Sequence, residues 1–241
     1  MQKILGKIRK ICEKCALIEK NDKIAVGLSG GKDSLLLLTA LKKYQQFSPV
    51  NFDLIAISID LSNGKMDYSE IEEYCKSIEV PFYIENTNVF EVVFDIRKEK
   101  NPCSLCANLR RGHLNSKAKE LGCNKVALGH HSDDLIETFL LSLFFEGRLY
   151  AFEPKSYLSR TDLYAIRPLL YVSEDEISRL SKDLPVIHNI CPADHHTQRE
   201  EAKEILKQLE KSYPNSKEKL LNAITSPERY NLWKINNKND N

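Results

Sequence analysis

Apolar positions along this chain recur at two spacings. Near the N-terminus Ile4, Ile8, Ile11, Cys15 and Ile18 fall three or four apart, which is the spacing of one helical face and predicts a helix over residues 2–19. Lys3, Lys7, Lys10 and Lys14 run beside them as a basic stripe, read as a solvated face in preference to a phosphate-contacting one. KIAVGL (23–28) is a short continuous apolar run, as expected of a strand buried on both faces, and helical spacing follows over residues 33–46. FDLIAISID (52–60) predicts a second strand and residues 68–79 a second helix. Pro81 breaks that helix, and PFYIEN begins a third strand. Residues 109–121 then read as helix, KVALG (125–129) as strand and residues 133–145 as helix.

Further on, 147–165 is the least patterned region, LYAIRPLL suggests one more strand and EDEISRLSKDL one more helix. From Thr197 the chain reads as two polar helices separated at Pro214, and the tail KINNKNDN as disordered. No internal repeat is present. Strands alternating with helices of this length imply an α/β fold, a Rossmann-like parallel sheet with helices on both faces.

Composition changes this picture little. The chain has 241 residues, 42% hydrophobic and 29% charged, which is ordinary globular chemistry. Its longest apolar run, LLLL at 35–38, is far below membrane-spanning length. The N-terminal stretch lacks a hydrophobic signal core and a cleavage site, so a cytoplasmic protein with no membrane association is expected. Seven cysteines in a reducing compartment argue for metal or redox chemistry over a disulfide framework. A net charge of +1 neither favours nor excludes nucleic acid, because such binding needs only a local basic patch.

The candidate chemistry begins where the first strand ends, at LSGGKDS (28–34). Gly30 and Gly31 let the backbone turn tightly with its N–H groups inward, and the following helix presents its positive end to an anion. Lys32 adds a point charge, and Ser29 and Ser34 add hydroxyl donors. The loop is not a Walker A motif, since Val26 and Asp33 occupy places where that motif needs Gly and Ser or Thr. Strand–SGGKDS–helix closely resembles the pyrophosphate-binding loop of the N-type ATP pyrophosphatases, the PP-loop superfamily. The resemblance implies ATP as substrate, split between its α and β phosphates, with Asp33 helping to hold Mg2+. Two further places fit it. Asp60 ends the second strand at the carboxyl edge, where open α/β sheets bind nucleotides. GHHSDDLIET (129–138) looks like the superfamily's second motif and nominates Gly129, His130, Asp133 and Asp134; His131 is assigned no role.

NPCSLCANLRRG (101–112) completes the set. Together with SGGKDS, ALGHHSDD, IRPL (166–169) and Cys191 with QR seven residues on, it resembles the tRNA 2-thiocytidine synthetases, the TtcA family, over nearly the whole chain. With the patterns above, the resemblance divides the chain into an N-terminal amphipathic helix (1–20), a PP-loop domain (21–190), a helical C-terminal extension carrying the third cysteine (191–233) and a disordered tail (234–241). It implies a [4Fe–4S] cluster on Cys103, Cys106 and Cys191 with one iron open, thiolate ligation suiting such clusters. Arg110 and Arg111 would bring positive charge to cluster, phosphates or RNA; Lys32, Asp33 and Asp133 join them as candidate catalytic groups, and Arg167 joins the nucleotide set. The implied reaction adenylates O2 of a cytidine in the anticodon loop of tRNA and replaces that oxygen with sulfur, supplied by a donor such as a cysteine desulfurase. A homodimer is compatible with the resemblance.

Alternatives stay open at this point. His188, His195 or His196 could complete a structural Cys3His zinc site, and thiolation of another base fits every motif equally. An amide-forming or lysidine-type PP-loop enzyme has no need of the cysteines. A metal protein using nucleotide only as a switch is the non-enzymatic reading. Arg148, Arg160, the lysine stripe and the C-terminal helices are candidate RNA-backbone contacts. Cys12 and Cys15 form a further Cys-x-x-Cys, of which Cys15 falls on the apolar stripe; Cys75 and Cys123 read as packing residues.

Overall fold

The computed structural model describes residues 1–97, 102–187 and 198–230. Cys191, His188, His195 and His196 lie outside the described residues. Two compact units emerge, Met1–Ser132 with Glu153–His195, and Asp133–Phe152 with His196–Asn241. Among the described residues no helix is long and apolar enough to cross a membrane.

The first unit is built on a six-stranded sheet. In chain order its strands are β1 (Asp22–Leu28), β2 (Phe52–Asp60), β3 (Phe82–Asn86), β4 (Lys125–Ala127), β5 (Lys155–Leu158) and β6 (Leu163–Ile166), arranged β3-β2-β1-β4-β6-β5. Every neighbouring pair is parallel except β5 with β6. That antiparallel edge hairpin occupies the region the sequence left unpatterned, because β5 is short and buries little. Chain order reverses at β1, which has β2 on one side and β4 on the other. The crevice beyond the carboxyl ends of β1 and β4 is therefore the topological switch point, where such sheets take their ligands.

Helices α1 (Gln2–Lys14), α2 (Lys32–Gln45), α3 (Ser69–Ser77), α4 (Pro102–Glu120) and α6 (Glu174–Leu180) belong to this unit. Leu35, Leu36, Leu37 and Leu38 of α2 are all fully buried, so the LLLL run marks a helix covered on every side. On a second face of the sheet Leu114 and Ala118 of α4 and Val93 of a π-helical turn (Glu91–Ile96) pack on Ala25, Ile55, Ile57 and Val126.

Helix α1 stops at Lys14, earlier than its apolar spacing predicts, and Ala16 turns the chain with a positive φ of 45°. Cys12 in consequence is the buried cysteine of the pair and Cys15 only half-buried. Burial pushes the Cys12 thiol up to about 12, so this pair offers no ready thiolate. Cys75 and Cys123 are buried. The lysine stripe is partly engaged: Lys7 donates to Glu176 at 2.6 Å, Lys3 lies 3.8 Å from the same carboxylate, and Lys10 stands over the Tyr171 ring.

The second unit joins α5 (Ser132–Glu146), most of which belongs to it, to α7 (Gln198–Ser212) and α8 (Ser216–Thr225), the two polar C-terminal helices. Their apolar stripes meet: Ile136 and Leu140 of α5 pack with Leu206 of α7, and Leu220, Leu221 and Ile224 of α8 join them.

Candidate active site

The phosphate loop sits at the carboxyl end of β1. Gly30 has a φ of +82°, a backbone that a side chain would strain, and its carbonyl accepts a hydrogen bond from the Ile187 N–H at 2.9 Å. Ser34 is turned into the loop: its Oγ donates to the Gly31 carbonyl and accepts from the Ser29 N–H. Ser29 Oγ accepts from the Gly31 N–H. These two hydroxyls hold the loop in shape. Helix α2 begins after Gly31 with no side-chain cap, so no capping side chain takes up its first N–H groups.

Lys32 lies 3.1 Å from both Glu174, the first residue of α6, and Asp33. Burial works against the ammonium charge, but these two carboxylates outweigh it and hold the Lys32 pKa above its ordinary value. Glu174 has no motif signal in the sequence; only the fold brings α6 to the loop.

The second motif closes on the first by direct backbone contact. A Cβ built on Gly129 would stand 3.1 Å from the Ser34 nitrogen and 3.2 Å from the Asp33 carbonyl carbon, which explains glycine there. His131 is buried with its Nε2 4.0 Å from Asp33 Oδ1, whereas His130 is half-buried. His131, assigned no role from the sequence, is thus placed beside Asp33. Asp133 and Asp134 open α5, where the helix dipole favours carboxylates, and Asp133 belongs to the second unit. Within that unit Asp133 is buried and its Oδ1 accepts a hydrogen bond from Lys217 at 2.7 Å.

Two further nominated residues make local hydrogen bonds. Asp60 is buried, and its carboxylate accepts from the Ser62 N–H and hydroxyl and from the Gly64 N–H, so it shapes the loop after β2. Arg167 directs Nη1 to the Glu153 carbonyl and to Ser156, bracing β5.

The cysteine pair stands ahead of the helix predicted over residues 109–121, but in the structure it lies inside the first turns of α4, which Pro102 opens. Cys103 and Cys106, three apart, share a helical face; Cys103 is exposed, and Cys106 is half-buried against the core. One turn on, the arginines part company. Arg110 turns inward, half-buried, where burial pulls its pKa down while the neighbouring Tyr68 and Cys106 raise it. Arg111 is exposed and folds back on α4, donating to the Ala107 carbonyl and Asn108. Among the described residues no three His, Cys, Asp or Glu side chains converge as a metal site.

A PP-loop domain model matches residues 1–189. The tRNA-cytidine(32) 2-sulfurtransferase of Pelobacter propionicus is 39% identical over 216 residues, 88% of this chain and 80% of that protein. The chain belongs to the PP-loop family, in its tRNA-cytidine 2-sulfurtransferase branch. The corresponding protein of Paraburkholderia phytofirmans is 37% identical over 214 residues, 87% of this chain; the match spans only 64% of that relative's length. Among solved structures, the U34-tRNA thiolase NcsA from Methanococcus maripaludis, solved with its [4Fe–4S] cluster, superposes with a TM-score of 0.72 at 28% identity, covering 92% of this chain and 76% of that one.

Proposed function

We propose that this protein is an ATP-dependent tRNA thiolase that converts a cytidine of the anticodon loop to 2-thiocytidine. The observation that carries the reading is the phosphate loop at the switch point, backed by Gly129 and faced by His131, in a chain whose relatives bear that activity's name. The first N–H groups of α2 and the Lys32 ammonium would hold the pyrophosphate portion of ATP, with Glu174 yielding Lys32 to it. Asp33 would hold Mg2+ against the phosphates, a hard ligand for a hard cation. The cytidine O2 then attacks the α-phosphorus and pyrophosphate leaves. A sulfide equivalent adds at C2, the C–O bond breaks and AMP departs with the oxygen. The chain's work is positioning and charge stabilisation. A base reacting at this edge must be accessible, which suits an unpaired loop of RNA.

The donor set fits an iron–sulfur cluster: two thiols on one helix face, Cys103 exposed and Cys106 half-buried, with an inward arginine beside Cys106 to offset negative charge. Cys103, Cys106 and Cys191 would hold it, and it would supply an iron coordination position for sulfide. The likeness to a U34 thiolase supports a second reading, with a uridine as the modified base. Iron, acid-labile sulfide and zinc per chain on anaerobically purified protein, followed by mass spectrometry of nucleosides from treated tRNA, test both. Cluster lost in Cys106→Ser and Cys191→Ala, with 2-thiocytidine lost in Asp33→Asn, is expected. Thiouridine selects the second reading, and zinc without iron or sulfide overturns the cluster.

A further inference from the structure

We propose that the exposed face of helix α1 is the docking surface for the phosphodiester backbone of the tRNA, a step that rests on the reading above, in which tRNA is the substrate.

The whole chain carries a net charge of +1, yet the 13 residues of α1 set Lys3, Lys7, Arg9, Lys10 and Lys14 against Glu13 alone, a net of +4. Solvation does not account for this face. Lys3 with Lys7, and Lys10 with Lys14, stand four residues apart, a spacing at which like charges weaken a helix. Part of the charge is answered within the fold. Glu176 lies 2.6 Å from Lys7 and 3.8 Å from Lys3, and Glu13 lies 2.8 Å from Arg9. Lys10 meets only the Tyr171 ring, 5.8 Å from its centroid, and among the described residues it has no carboxylate partner.

Gly6 stands in the middle of this face. With Arg9, Lys10, Glu13 and Lys14 it lines an open groove of about 510 Å³. Glycine inside a helix weakens it, and packing does not demand one here, since a Cβ on Gly6 would meet nothing within 4 Å. The missing side chain leaves helix backbone approachable among the cations, which suits a sugar-phosphate chain laid along the groove.

Two further observations select the anion. Ile4, Ile8 and Ile11, the apolar stripe of α1, are at most 1% exposed, so the stripe that a helix needs to lie in a lipid surface is already buried in the core. The basic face also leads to the reaction edge. Lys7 meets Glu176 of α6, and Glu174, two residues earlier, reaches Lys32 of the phosphate loop. Helix α1 runs about 20 Å, the reach of several phosphates of one strand. A polyanion long enough to follow the stripe to that edge is an RNA backbone, not a small anion.

The test is binding of an unmodified tRNA transcript to anaerobically purified full-length protein across a range of KCl concentrations. The proteins are wild type, the triple variant K3Q/K10Q/K14Q, Gly6→Gln and a charge-matched control, K43Q/K76Q/K119Q, with a thermal melt of each. The control lysines lie in the last turns of α2, α3 and α4, at the sheet edge away from the phosphate loop. The triple variant is expected to bind at least about tenfold more weakly at about 0.15 M salt, and to flatten the slope of log K against log salt by about two to three. Gly6→Gln should bind about threefold or more weakly with a melting temperature no lower than wild type. The control should stay within about twofold of wild type, as should the ATP affinity of every variant titrated without tRNA. Wild-type tRNA affinity and slope in a folded triple variant, full affinity in Gly6→Gln, or an equal loss in the control overturns the docking surface and leaves the thiolation reading standing. Preference for vesicles of anionic phospholipid over tRNA, lost in the triple variant, overturns RNA as the occupant. A wild type that binds no tRNA overturns the thiolation reading and this inference with it. Should the triple variant not fold, Lys10→Gln alone is expected to flatten the slope by about one, and an unchanged slope overturns the inference.

Discussion

At the residue scale, two adjacent arginines of one motif have different fates. Arg110 and Arg111 are one residue and about 100° of helix apart, so only one can face the core. Arg110 takes the inward place beside Cys106 and Tyr68, while Arg111 spends its guanidinium on its own helix. Arg110→Ala is therefore expected to cut thiolation at least about tenfold, the scale of one lost charged contact, and Arg111→Ala to stay within about threefold. Comparable losses in both, measured as 2-thiocytidine formed per minute, would defeat that distinction. Ser34 and Asp60 were legible as motif positions, but their partners were not: both turn their polar atoms onto neighbouring backbone. Nothing in the letters HH tells which histidine faces Asp33, because that depends on the strand-to-helix turn after β4.

Elements were legible where their periodicity is strong and obscure where they are short or partly exposed. Helix α2 and strands β1 and β2 carry nearly continuous apolar runs and were read correctly in type. Helix α4 begins well before its apolar pattern, since its first turns hold the cysteines and small polar residues in place of a hydrophobic stripe. The contact between the two motif loops belongs to this scale. Gly129→Ala would force a methyl to within 3.1 Å of the Ser34 nitrogen and 3.2 Å of the Asp33 carbonyl carbon, backbone that cannot rotate away. Overpacking of this kind costs about 1–3 kcal/mol, so a melting temperature lower by several degrees and weaker ATP binding are expected together. Isothermal titration with ATP and Mg2+, beside a melt, checks both; unchanged affinity in a destabilised variant would separate packing from the site.

At the scale of the molecule, polar groups far from the site tie distant segments of the first unit together. Lys125 on β4 is buried, 2.7 Å from both Asp22 of β1 and Glu19, and donates to the Leu17 carbonyl. Lys125→Met would leave the buried Asp22 carboxylate without its cation, held only by hydrogen bonds from Asn124 and the Glu19 N–H, and is expected to destabilise by about 3 kcal/mol. Hydrogen bonds from Lys125 and then Lys155 lower the Glu19 carboxyl from 4.5 to about 2. A depressed carboxyl contributes stability above its unfolded value and loses it as acid protonates it. Wild-type stability should accordingly fall between pH 4.5 and 2, and less steeply in Lys125→Met, with Glu19's exposed position keeping the difference modest. Denaturant melts across that window decide it; equal slopes in the two proteins would show that Glu19 is not the responsive group.

The sequence by itself determined the fold class, the phosphate loop and the cysteine pair. Each is written locally, in a periodicity or in a few consecutive residues whose backbone and charge requirements are specific. Tertiary structure decided the rest. Glu174 reaches Lys32 from 142 residues away, Lys217 reaches Asp133 from 84, and the switch point exists only because β4 takes its place beside β1. Burial and pairing of charges depend on which segments meet, and no local pattern encodes a meeting across that much chain.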